Sequence, residues 1–72
     1  MDKIKLYAYI ETCLRSCAKD SDNKEFWRAK AFGAVQYYCM VCPEDKKEVA
    51  HLWSEKYKPT FTRIICGNIW TL

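Results

Sequence analysis

The chain has 72 residues, half of them apolar and 15% aromatic, with a net charge of +3. That length excludes a second domain, and no stretch reaches the ~18 consecutive apolar residues of a membrane-spanning helix. Two glycines and two prolines are too few turn residues for an all-β fold.

The first segment runs over about 2–19. Leu6, Ile10, Cys13 and Cys17 recur at spacings of 4, 3 and 4, and Leu14 widens the stripe. Lys3, Lys5, Glu11, Arg15 and Lys19 are interleaved around it, the pattern of an amphipathic helix. The same charges interrupt any apolar export signal, so a cytoplasmic, non-membrane chain is expected. Asp20-Ser21-Asp22-Asn23 ends the segment, because all four side chains compete for backbone hydrogen bonds in turns.

The second helix is predicted over 22–42, with Asp22 as N-cap and Glu25 completing a capping box. Trp27, Ala31, Ala34, Tyr38 and Val41 form its core stripe, extended by Val35 and Cys42. A second apolar set, Phe26, Ala29, Gly33, Tyr37 and Met40, lies beside the first. A helix apolar over so much of its surface is expected at the centre of the fold. Pro43 ends it.

The third helix is predicted over 43–66. Pro43 suits its first position, and Glu44 and Asp45 complement its dipole. Val49, Leu52, Trp53 and Tyr57 carry the helical period, and Phe61, Ile64 and Ile65 resume it. Pro59 removes a backbone donor, so a kink or break is expected there. Gly67-Asn68 reads as a C-cap, followed by an apolar tail within 67–72. Short connections make neighbouring helices antiparallel. The predicted fold is all-α: an up-down-up three-helix bundle with the second helix in the middle.

Five cysteines, an odd number, argue against a disulfide framework. Cys13 and Cys17 share one helix face, as do Cys39 and Cys42, which suggests a four-cysteine zinc site. The bundle opposes it, because the two pairs fall at opposite ends, about 20 Å apart at 1.5 Å per residue. Chain reversal brings Cys66 towards the level of Cys17, so a contact between those two is conceivable. Cys39-Met40-Val41-Cys42 has redox spacing but closes a helix, where the dipole disfavours a thiolate. His51, the single histidine, reads as a surface or half-buried residue. No catalytic constellation and no cofactor motif emerges, and no motif is specific enough to assign a family.

The expected function is therefore a small non-enzymatic protein-interaction module. Its type is that of the accessory or inhibitor proteins that phages and mobile elements encode. Tyr37, Tyr57 and Trp70 are the expected partner-binding residues, since so small a bundle cannot bury all of its aromatics and Tyr and Trp anchor interfaces. The partner is another protein or a second copy. An alternative is nucleic-acid binding through Lys24, Arg28, Lys30, Lys56, Lys58 and Arg63, which antiparallel packing gathers at one end of the bundle. A second alternative is a metal-binding helical protein using its cysteines.

Overall fold

A computed structural model of the chain describes residues 2–67. Helix α1 spans Lys3–Lys19 and α2 spans Lys24–Val41. A 3₁₀ turn over Pro43–Asp45 leads into α3, Lys46–Leu52, and then come a π turn at Trp53–Tyr57 and α4, Lys58–Cys66. The last three pieces form one continuous third helix, so the chain is an all-α, three-helix bundle with antiparallel neighbours. No helix among the described residues is long and apolar enough to cross a membrane.

Local chemistry sets the boundaries. Asp2 caps α1, its carboxylate accepting from the Lys5 N–H at 2.9 Å. The first turn is organised by Asp20 rather than by a capping box at Asp22. Asp20 accepts from the Asn23 side-chain amide and from the Trp27 indole N–H. Asn23 occupies the N-cap position of α2 without a side-chain cap bond. These donors hold the Asp20 carboxyl below its ordinary range, the Asn23 bond most strongly. Gly67 closes α4 in the left-handed region, φ 70°, where a Cβ would be strained. Asn68 and the apolar tail fall outside the described residues.

The core joins Leu6, Ile10, Cys13 and Cys17 of α1 to Ala31, Val35 and Tyr38 of α2 and to Val49, Trp53, Tyr57 and Phe61 of the third helix. The last four recur at intervals of four residues. On an ideal helix of 3.6 residues per turn, three such steps drift by roughly 120°. The π turn absorbs that drift. The Lys58 N–H donates to Trp53 O, five residues back, which widens the helix by one residue. The interruption predicted at Pro59 therefore takes this form, and the helix passes through it with Tyr57 and Lys58 both in the right-handed region.

The second helix packs more extensively against each of the other two than they pack against one another, as expected of a central helix, although it contributes only three of the eleven core residues. Between helices the polar ties are few. Tyr38 donates to Asp45 at 2.8 Å, and Lys3 reaches Glu48 at 3.0 Å and lies 3.8 Å from Asp45. The Lys3 pairs are exposed, so solvent screens them. The acids at the start of the third helix thus tie the other two helices to it, a role beyond complementing the dipole.

Two predictions follow from this packing. The Tyr7 hydroxyl is buried without a hydrogen-bond partner, and such an orphan costs about 1–3 kcal/mol. Tyr7→Phe should leave stability in urea unchanged or raise it by about 1 kcal/mol; a clear loss would show that the hydroxyl is satisfied. Burial raises the Cys13 and Cys17 thiols and the Tyr7, Tyr9 and Tyr57 phenols, while the bond to Asp45, then burial, raises Tyr38. Each group holds its proton more tightly folded than unfolded. Its contribution is complete below its ordinary value, 9.0 for the thiols and 10.0 for the phenols, and is lost as pH rises through the raised folded value. Urea midpoints should therefore fall progressively above pH 9.0, and less steeply in Tyr38→Phe.

Candidate functional site

Helix α2 carries two apolar stripes, and the bundle uses one. Ala31, Val35 and Tyr38 are buried, and Trp27, Ala34, Cys39 and Cys42 pack against the core. The other stripe faces outward. Of the six exposed large hydrophobic side chains among the described residues, five lie on α2: Phe26, Phe32, Tyr37, Met40 and Val41. Val41, expected in the core stripe, is 57% exposed. It is the last residue of α2, and the 3₁₀ turn at Pro43 carries the chain away from it.

Along one edge of this face, two shallow hollows separate α2 from the third helix. The first, about 310 Å³, is lined by Arg28, Ala29, Phe32, Trp53 and Lys58. The second, about 350 Å³, is lined by Gln36, Cys39, Met40 and Lys46. Together the α2 residues form one stripe at helical spacing. Lys46, Trp53 and Lys58 climb the third helix as Met40, Phe32 and Arg28 descend α2, the register of an antiparallel pair. The hollows share no lining residue but lie along one seam between the two helices, a seam that runs about 18 Å from Arg28 to Met40 at 1.5 Å per residue. The floor of the first hollow is aromatic. Phe32 lies 5.4 Å from Trp53 between ring centroids, and Trp53 lies 5.8 Å from Phe61 beneath. The rim of each hollow is cationic, and no carboxylate is among the lining residues. Arg28 pairs with Glu25, whereas Lys46 and Lys58 enter no ion pair among the described residues.

The expected partner-binding residues separate. Tyr37 is 58% exposed on α2. Tyr57 is 2% exposed and belongs to the core, with its ring 6.2 Å from Tyr7 of α1. The π turn directs it inward, so Tyr57 is removed from the candidate surface. Trp70 lies outside the described residues.

The six basic residues fall at one end of the bundle but on different faces. Lys24 donates to Ile64 O at 3.2 Å. Lys30 lies over the rings of Phe26 and Trp27, and Lys56 over Tyr57. Arg63 is exposed. Only Arg28 and Lys58 line one hollow, so the structure does not assemble a single six-residue basic patch.

The thiols are all free. Cys13 and Cys17 are buried, with Cys17 Sγ 3.5 Å from Lys24 O, whereas Cys66 is exposed. The conceivable Cys17–Cys66 contact is therefore not a bond in this structure. Among the described residues no group of three or more His, Cys, Asp or Glu side chains is placed to hold a metal ion. His51 is exposed.

Sequence reasoning missed Phe32 and Lys46 as surface features, whereas Trp53, placed on the helical period, is buried and forms the back of the first hollow. Phe32 belongs to neither apolar stripe of α2, and that irregularity was the available signal. Gly33, by contrast, sits mid-helix on the outward face, where a Cβ would meet nothing within 4 Å. Gly33→Ala should raise stability by about 0.5–1 kcal/mol, measured by urea unfolding; destabilisation would place an unseen neighbour there. No protein-family model, curated protein or solved structure matches this chain, so the geometry of the α2 face carries the functional argument.

Proposed function

We propose that this chain is a small non-enzymatic protein-interaction module that binds another protein through the outward face of α2. One observation carries the reading: the large apolar side chains left in water are concentrated on a single helix. Isolated exposed apolar residues are ordinary, but contiguous ones mark contact surfaces.

The polar groups support a non-enzymatic reading. Asp45 and Glu48 are engaged by Tyr38 and Lys3, which serves the packing of the helices. Burial pushes the Cys13 and Cys17 thiols up, the direction opposite to that of a nucleophilic cysteine. A role as an accessory or inhibitor protein suits a chain that offers a surface in place of reactive groups.

The test is affinity capture from host lysate under reducing conditions, with and without nuclease, comparing the wild-type chain with a Tyr37→Asp/Met40→Asp variant. Both side chains are well exposed, so circular dichroism should show the fold unchanged. A stoichiometric protein retained after nuclease by the wild type and lost by the variant is the expected result. Enrichment that disappears on nuclease treatment would transfer the function to the basic residues. Recovery of the bait alone, at its monomer mass by light scattering, would remove the interaction reading.

A further inference from the structure

The seam between α2 and the third helix makes the nature of the partner more specific, if α2 is indeed the contact surface. We propose that this seam receives an acidic amphipathic helix of about three turns from another protein.

The backbone chemistry of the walls selects a helix. Both walls are helices, whose N–H and C=O groups are paired internally, so they offer no ladder to an extended strand. An occupant that enters an apolar groove must satisfy its own backbone, and a helix does so. The seam is bounded by antiparallel helices, the geometry in which a further helix seats its side chains between existing ridges. Its length of about 18 Å matches about 12 helical residues. Phe32 and Trp53 at one hollow and Met40 at the other give apolar footholds two turns apart, which anchors at i, i+4 and i+7 of a guest helix would meet.

Charge selects an acidic sequence. Arg28 and Lys58 flank the first hollow and Lys46 the second. Lys46 and Lys58 lack carboxylate partners among the described residues. The same cations disfavour a second copy of this chain. Symmetric pairing would set the seams of two chains, each of net charge +3, against one another, and like charges facing across an interface oppose it. Nucleic acid is disfavoured by the diversion of Lys24, Lys30 and Lys56 to other contacts, which leaves few cations to track a phosphate backbone.

The experiment is selection of a displayed library of random peptides, about 14 residues long to span the seam, on the full chain. Enriched peptides would be synthesised and their binding mapped by amide chemical shifts. The expected peptides carry net negative charge with apolar residues at helical spacing. They should shift Phe32, Met40 and the Trp53 indole, and lose about tenfold or more in affinity on a Lys46→Glu/Lys58→Glu variant. Both lysines are exposed, and the same amide spectrum reports that the variant remains folded. Enriched peptides without acidic bias, equal affinity for the variant, or shifts confined to Phe26 and Tyr37 would each overturn the seam assignment. A lysate partner lost on Tyr37→Asp/Met40→Asp but indifferent to the lysine reversals would overturn it while leaving the interaction reading intact. Absence of any such partner would remove that reading instead.

Discussion

The bundle depends on keeping Val49, Trp53, Tyr57 and Phe61 on one side of a single helix. A chain of 72 residues has little apolar area to spare, and these four side chains supply much of the bulk on the third helix's contribution to the core. Their four-residue spacing does not suit a regular α-helix. The i→i+5 turn before Pro59 reconciles the two, because one extra residue per turn returns the stripe to the core. Without it, Phe61 would rotate away from Leu6 and Ile10, and Tyr57 would move towards solvent.

The same turn sets the outer surface. By holding Trp53 inward it gives Phe32 an aromatic platform, and by advancing the helix one residue it brings Lys58 to the rim opposite Arg28. The first hollow is thus a by-product of how the third helix solves its packing problem. Helix α2 pays no such constraint on its outer face. Its core contribution is made by small or slender residues, Ala31 and Val35, together with Tyr38, whose hydroxyl is tied to Asp45. The larger apolar side chains of α2 remain outside, which costs solubility unless another surface covers them. Cations along the seam offset that cost in the free chain and bias which partners can approach.

Periodicity identifies which residues can share a face, but not which of two apolar faces a bundle will cover. On α1 there was one apolar stripe, and Leu6, Ile10, Cys13 and Cys17 are all buried as their spacing implied. On α2 there were two, and the choice between them rests on the direction from which α1 and the third helix approach. Tyr37 and Tyr57 illustrate the difference. Each is a tyrosine in a helical period, yet one is exposed and the other enclosed, because a hydrogen bond five residues back rotates Tyr57 into the core. The basic residues show it again. Antiparallel pairing does bring Lys24 near Ile64, but residues at one level of a bundle point to different sides of it, so a cluster in sequence and level is not a cluster in space.

The sequence by itself determined the helical class, the turn at Asp20–Asn23, the end of α2 at Pro43 and the disturbance near Pro59. These are local effects: hydrogen-bond competition by short polar side chains, a missing N–H, and apolar spacing within one segment. Only the tertiary structure decided which of the two apolar faces of α2 is covered, that Asp20 rather than Asp22 organises the first turn, and that Arg28, Lys46 and Lys58 line hollows along the seam between α2 and the third helix. Those outcomes depend on the rotation of each helix about its axis, which is set by mutual packing of large side chains and has no signature within any single segment.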